Sequence, residues 1–460
     1  MTAQVQVSVR QPRYGRGGPK LATLLETMLF VQVPLAGFIG FGPFLYSDRL
    51  GQETPAAALL YPVRSLVTAS ILALALLFGA RPPRTGRAAV LLVYVLYLVA
   101  TTLWTVDRAV TARAAIDMAA VCTSLAVLCN GLSASRIVNV LLNVLAAALV
   151  ASALLAIGMP SIGVMSTYDS WSQDQAGAWR GLFVEKNGLG GTAAIGLMVM
   201  VRSWPLWTMP SIIKAGGIAA ALSCLVLARS ANAWVGLMAM GVAAILFAGT
   251  PSRIRAALTW ITLAAIVTVM ATSSVVLTAL DFLGRDTKLN GRTPIWGTAL
   301  DLWQGAWLTG HGYVAGTSQI LQPLLIRTHG VAARHAHSGY IEALVETGII
   351  GLLLFALLLV ACLWRASIQP WTSTPRDRRA TASLFMILLG SVVMAGGDVS
   401  ATRLVGGWGA ITWAALICTV CLPSASIFLR QRARRWTPQP NEMADTSSPG
   451  EQLALRIHDA

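Results

Sequence analysis

Long runs of apolar residues, each close to the length of a membrane span, constrain the fold of this chain more than any other feature. A helix needs about 20 apolar residues to cross roughly 30 Å of hydrocarbon, and such runs recur along most of the sequence. Only 12% of the residues are charged, whereas soluble globular domains carry roughly 25%. The pattern therefore predicts an all-α polytopic membrane protein and excludes soluble enzymes and secreted disulfide scaffolds.

The apolar runs and the polar breaks between them predict about twelve transmembrane helices. Two connections are long, 159–186 and 281–340, and long connections in compact folds are usually functional or disordered. We predict a large, partly helical periplasmic loop between helices 9 and 10. The predicted segments are a cytoplasmic N-terminus (1–20), a first bundle part (21–280), the large loop (281–340), a second bundle part (341–422) and a basic, disordered cytoplasmic tail (423–460). The predicted spans are 21–46, 58–79, 88–104, 114–130, 137–158, 187–201, 211–228, 231–248, 257–280, 341–363, 380–397 and 404–422.

The formal net charge of +15 follows from topology. Membrane proteins retain Lys and Arg in their cytoplasmic segments, and most arginines of this chain fall in alternate connections and in the tail. An even number of spans then places both termini in the cytoplasm. The positive charge needs no nucleic-acid partner, and the bilayer is the expected environment. All six cysteines lie in apolar runs, which is typical of packed free thiols.

A helix is predicted inside the large loop. Thr293 is suited to the N-cap, Pro294 to the first helical position, and Gly310 to the end. Trp296, Trp303 and other apolar residues recur at helical spacing on one face. We expect this helix to cover the outer mouth of the bundle, either in the membrane interface or packed on the spans.

A group of cationic residues on the outer side is not explained by topology. Guanidinium groups bind phosphate oxygens in pairs and stay charged at physiological pH, so several of them together favour a polyanion site. No acidic cluster suited to Mg²⁺ accompanies them. The candidates for substrate binding are Arg180, Lys186, Asn187, Arg229, Arg292, His335 and Glu342.

Histidines are concentrated in the same outer region. Four of the five lie between His311 and His337, and histidine is the side chain whose pKa best suits a general base near neutral pH. Glu342 and Glu346 are one helical turn apart, and either carboxylate can orient an imidazole or pair with an arginine. No metal is predicted, because the sequence offers no clear third ligand beside His335 and His337.

Two further pairs of opposite charge are interpreted as ion pairs at helix ends. They are Arg113 with Asp117, and Asp398 with Arg403.

Four motifs in order resemble the O-antigen ligase and polysaccharide polymerase superfamily, closest to its exopolysaccharide polymerase branch. HAHSGYIEALVETGIIGLLLF is similar to the superfamily's His-x-His-Asn-x-x-Leu-Glu, and RGLFVEKNGLGG to its Gly-x-Phe-x-His-Lys-Asn-x-x-Gly. ARSANAW resembles a Ser-rich turn, and GRTPIWGTALDLWQGAWLTGHGYVAG a Gly-Arg-Thr-x-x-Trp helix followed by Gly-x-Gly. Together the motifs cover about residues 175–360.

The resemblance implies an activity and a set of roles. Such proteins transfer a glycan from an undecaprenyl-pyrophosphate carrier to an acceptor sugar at the periplasmic face of the bacterial inner membrane, without a metal or other cofactor. It implies that His337 is the catalytic histidine and that Arg180, Lys186 and Arg292 contact the pyrophosphate. It also implies a glycan or lipid A-core acceptor, with a flippase and a chain-length regulator as possible partners.

Two residues depart from the family pattern, and two alternatives to the first functional hypothesis stay open. Ser338 stands where the family usually has Asn, and Glu185 stands where it usually has His. A polymerase of exopolysaccharide or O-antigen repeat units is the first hypothesis, and a ligase that moves the glycan to lipid A-core or to a protein is the second. A membrane transporter is a third, against which stand the few ionisable residues at mid-span.

Overall fold

The computed structural model describes residues 18–37, 39, 55–166, 175–247, 254, 257, 292–330, 333, 335–367, 375–398, 402–403 and 408–422. Within these ranges the helices are joined by turns and irregular segments, and the β-structure consists of one isolated antiparallel bridge between Val164 and Trp179. The helices of eight residues or more, numbered in chain order, are α1 (Gly18–Ala36), α2 (Pro55–Leu77), α3 (Thr85–Ala100), α4 (Arg108–Asn130), α5 (Ala134–Gly158), α6 (Lys186–Arg202), α7 (Ser211–Leu227), α8 (Ala231–Phe247), α9 (Arg292–Gln304), α10 (Gln322–His329), α11 (Gly339–Ser367), α12 (Pro375–Met394) and α13 (Gly409–Cys421).

This architecture agrees with the predicted all-α membrane protein. Among the described residues, four helices are long and apolar enough to cross a bilayer: Leu59–Leu77 within α2, then α4, α5 and α11. Other predicted spans coincide with shorter apolar helices, so the number twelve stays a prediction. The predicted span 257–280 and the tail 423–460 lie outside the described residues, and α1 ends at Ala36 rather than continuing to residue 46.

Helix α13 lies at the centre of the bundle. Every one of its residues is buried, and it packs against α1, α3, α4, α5, α11 and α12. A helix that is apolar on all sides is stable only where other helices or lipid surround it. The outer faces of the bundle are apolar too, as at Leu77 and Ile212, each 81% exposed. Such exposure is costly in water and is expected where lipid covers the surface.

Helix α11 is broken at Gly348, where the backbone has φ 63° and ψ −169°. The break would leave backbone groups unpaired in a membrane, which is tolerated only where protein covers them. Residues 307–312 cover it: Ile349 and Ile350 donate to the carbonyls of Trp307 and Leu308, and the His311 N–H donates to Val345. Residues 307–312 and the first half of α11 therefore form one hydrogen-bonded unit.

The predicted loop helix is present as α9, but it is shorter than expected. It spans Arg292–Gln304, six residues short of Gly310, because the chain turns at 305–309 to reach the break in α11. Ile295 and Ala299 are buried with Leu321, Leu325 and Ala336 in a small apolar cluster. Helix α9 therefore packs on α10 and α11.

The structure corrects the predicted helix-end ion pairs, because Asp117, Arg113 and Arg403 all contact residues of other helices. Asp117 pairs with Arg64 of α2, and Arg64 is 3% exposed. Arg113 instead lies over the ring of Tyr61 at 5.3 Å. Arg403 pairs with two glutamates of α11.

Candidate functional site

The site is centred on residues 335–338, the histidine loop, which leads into α11. Ala336, between the two histidines, is fully buried, and its backbone is bonded from two sides. The Ala336 N–H donates to Glu342 Oε2 at 3.0 Å, and Trp296 Nε1 of α9 donates to the Ala336 carbonyl at 2.9 Å. The backbone between the two histidines is therefore fixed by α9 and α11 together.

His337 has a left-handed backbone, with φ 52°. This conformation is uncommon for residues other than glycine, and at functional sites it persists because the surroundings over-determine it. The Gly339 N–H donates to the carbonyls of Ala395 and Asp398 at 2.8 and 3.0 Å. His337 is half-buried, so part of its side chain stays accessible.

Ser338 starts α11 from the preceding position. Its Oγ lies 3.5 Å from the Ile341 N–H, its carbonyl accepts from Glu342 N at 3.0 Å, and its side chain is buried. Serine and asparagine are both favoured helix N-caps. The serine at this position of the motif therefore keeps the capping function that an asparagine would have.

His335 links the loop to the residue before α6. Its Nε2 lies 3.4 Å from Glu185 Oε1, its Nδ1 lies 3.3 Å from the His337 backbone N, and its ring meets that of His337 edge-on at 4.3 Å between centroids. Burial alone would lower the pKa of His335. The carboxylate of Glu185, hydrogen-bonded to the imidazole, and the charges of Glu342 and Asp398 outweigh burial and raise this pKa above its usual value.

Glu185, His335 and His337 are also spaced closely enough to hold a metal ion, since one ligand atom from each lies within 4.8 Å of the others. The hydrogen bonds favour another arrangement. Because the His337 N–H points at Nδ1 of His335, the neutral imidazole carries its proton on Nε2, facing Glu185. A metal at Nε2 would have to displace this proton, so a hydrogen-bonded chain and a metal site are alternative uses of the same three residues.

The cationic part of the site is assembled around the start of α6. Arg180 is held at its backbone, where its N–H donates to Gly163, and at its side chain, where Nε donates to the Ile162 carbonyl at 2.7 Å. Lys186 is the first residue of α6, directly after Glu185. Cationic side chains beside a helix N-terminus make a favourable environment for an anion.

Arg229 and Asn187 belong to the same region. Arg229 has a left-handed backbone (φ 50°) and is exposed, and a Cβ on Gly177 would lie 3.9 Å from its Nη1. The neighbouring Ser230 donates to Asn187 Oδ1 at 2.9 Å. The turn between α7 and α8 is thus tied to the start of α6.

The remaining two candidates are placed differently. Arg292 is the first residue of α9, one turn before the Trp296 that binds the histidine loop. Glu342 is 1% exposed and is held by Arg403 and the Ala336 N–H. Glu342 therefore supports the histidine loop. Because its side chain is buried, little of it could contact a substrate.

Two residues of the site were missed by sequence reasoning. Arg403 forms ion pairs with both Glu342 and Glu346 beneath the histidine loop, although the sequence offered Asp398 as a nearer partner. Trp296 was expected only on an apolar helix face, and its indole N–H carries the contact to Ala336. A buried tryptophan usually has a hydrogen-bond partner, but the pattern gave no means of finding which one.

Comparison with known proteins bears on this site. Residues 216–356 match the sequence profile of the family described as O-antigen ligase. The chain is also 30% identical over 220 residues to the exopolysaccharide production protein ExoQ of Rhizobium meliloti (strain 1021). That alignment covers 43% of this chain and 48% of the relative, so the chain spans about half the length of the curated relative it matches. The resemblance to this family is confirmed. The profile includes α9, α10, the histidine loop and the first part of α11 up to residue 356, and it begins after the RGLFVEKNGLGG motif.

Proposed function

We propose that this membrane protein is a glycosyltransferase that takes a glycan from an undecaprenyl-pyrophosphate carrier and joins it to an acceptor sugar at the periplasmic face of a bacterial inner membrane. One observation carries the proposal. The histidine loop, with a strained and accessible His337, contacts Glu185, which directly precedes Lys186 at the start of α6 and follows Arg180 by five residues. This contact supports a site in which a general base acts next to cations that bind a polyanion.

In the proposed reaction the acceptor hydroxyl attacks the anomeric carbon of the donor sugar, and its proton passes to His337. The bond between that carbon and the pyrophosphate oxygen breaks, with inversion at the carbon. Undecaprenyl pyrophosphate leaves with the electron pair. Arg180, Lys186 and Arg292 stabilise the charge that develops on it, so the reaction requires no metal. Asn187 and Arg229 line the same donor region.

The roles of His335 and Glu342 differ from direct substrate binding. Glu342 is buried and holds the loop through Ala336. His335 touches His337 and Glu185. We propose that both act on the geometry of His337.

Within this chemistry a polymerase of exopolysaccharide repeat units is favoured by the similarity to an exopolysaccharide production protein. A ligase that transfers glycan to lipid A-core is the second candidate, favoured by the description of the matching family. Both reactions use the same donor and differ in the acceptor. A flippase that delivers the donor and a chain-length regulator are the expected partners, and both chain termini are expected in the cytoplasm.

Deleting the gene and separating surface polysaccharide on a gel distinguishes these candidates. A strain that lacks a polymerase retains single repeat units on the acceptor, whereas a strain that lacks a ligase has no decorated acceptor. Normal chain lengths on a normal acceptor would contradict both. Complementation with wild type and with Arg202→Ala, at the opposite end of α6 from Lys186, provides the matched control.

A further inference from the structure

We infer that Glu185 and His335 are positioning residues for His337. Glu185 fixes the tautomer of His335, and His335 in turn holds the backbone of His337 in its left-handed conformation. The inference rests on the proposed role of His337 as general base. It gives a physical role to Glu185, which stands where the family usually has histidine.

The first step is the tautomer. Neutral histidine has one N–H and one acceptor nitrogen. Glu185 Oε1 at 3.4 Å from Nε2 is a hydrogen-bond acceptor and stabilises the tautomer with the proton on Nε2. In that tautomer Nδ1 carries a lone pair. Glu185 therefore determines that Nδ1 of His335 can accept a hydrogen bond.

The second step is the backbone of His337. Its N–H lies 3.3 Å from Nδ1 of His335, so this side chain satisfies a backbone donor of the strained residue. If Nδ1 carried a proton, two N–H groups would face each other and the contact would be lost. The orientation of the His337 imidazole, which lies edge-on against the His335 ring, would then be less well fixed.

The third step is the effect of pH. The groups facing His335 are Glu185 before α6, Glu342 of α11, Asp398 after α12 and His337 of its own loop. The three carboxylates raise the pKa of His335. As pH falls through this raised pKa, Nδ1 gains a proton and can no longer accept the hydrogen bond from the His337 N–H. Activity should therefore fall on the acid side at a pH above the ordinary titration of histidine.

The test uses the purified full chain in detergent, with a synthetic undecaprenyl-pyrophosphate oligosaccharide as donor, and measures kcat and KM against pH. His335→Asn keeps an acceptor, since its Oδ1 is as many bonds from the backbone as Nδ1. His335→Leu has no acceptor. We expect His335→Leu to lower kcat by about 10- to 100-fold with little change in the KM of the donor. His335→Asn should recover most of this loss.

The pH profile separates positioning from simple packing. Glu185→Gln retains an acceptor oxygen and removes the charge, which lowers the pKa of His335, so the acid limb of kcat should move to lower pH. His335→Asn has no titrating group and should shift the limb in the same direction. The control is His329→Asn, which replaces a histidine that bonds Thr298 at 2.9 Å and should leave the profile unchanged.

Several results would overturn the inference. It is wrong if His335→Leu and His335→Asn are equally active, or if Glu185→Gln leaves the acid limb in place. It is also wrong if a chelator abolishes activity and Zn²⁺ restores it, since Nε2 would then bind metal. Thermal unfolding in detergent shows which variants are folded. If wild type and His337→Ala transfer glycan alike, the proposed function itself fails, which is a distinguishable result.

Discussion

Replacing Arg403 with glutamine should destabilise the protein strongly, because two carboxylates would be left together in a buried site. Glu342 is 1% and Glu346 3% exposed, and Arg403 is paired with both. Removing one partner of a buried ion pair typically costs about 3–5 kcal/mol, since the remaining charge has neither water nor a partner. We expect a loss of this size for Arg403→Gln.

The net charge of Arg403, Glu342 and Glu346 predicts different losses of stability for different substitutions. Two carboxylates and one guanidinium carry a net charge of −1, so Glu346→Gln leaves a balanced pair and should cost about 1 kcal/mol or less. The double variant Arg403→Gln with Glu346→Gln should be more stable than Arg403→Gln alone. Thermal and denaturant unfolding in one detergent measures all three. An Arg403→Gln protein as stable as wild type would refute the reasoning.

Two further substitutions test the site through other contacts. Arg180→Ala should raise the KM of the donor by about 10- to 100-fold, as expected for lost hydrogen bonds to a charged group. Arg180→Lys should restore only part of the affinity for the donor, since lysine lacks the planar guanidinium. Full restoration by lysine would contradict paired contacts between Arg180 and phosphate oxygens. Trp296→Phe removes the donor to the Ala336 carbonyl and keeps the ring, so kcat should fall while stability changes by about 1 kcal/mol. Trp303→Phe, whose indole bonds the Trp307 carbonyl in the same region, is the control and should leave kcat unchanged.

The helices could be predicted from sequence because span length and hydropathy are local properties. Helix α6 spans Lys186–Arg202 where a span was predicted at 187–201, and α7 and α8 agree as closely. The interruption of α11 at Gly348 was not predicted. A glycine in an apolar run has no distinctive pattern, and only the tertiary hydrogen bonds of residues 307–312 stabilise the break.

The partners of the charged residues were hardest to predict. The sequence favoured nearby partners, Arg113 for Asp117 and Asp398 for Arg403, but the structure pairs residues from different helices. Glu185 illustrates the same limit, since a lone departure from a motif indicates no partner. Its contact with His335 joins two segments about 150 residues apart.

The central claim is that His337 acts as the base in glycan transfer from a pyrophosphate carrier. The most direct measurement incubates purified wild type and His337→Ala with a synthetic undecaprenyl-pyrophosphate oligosaccharide and quantifies both the lengthened glycan and the released carrier. The account predicts that wild type releases one carrier for each new glycosidic bond, and that the variant loses about 100- to 10,000-fold in rate, the usual contribution of a general base. Equal rates for a folded His337→Ala protein and wild type would contradict it.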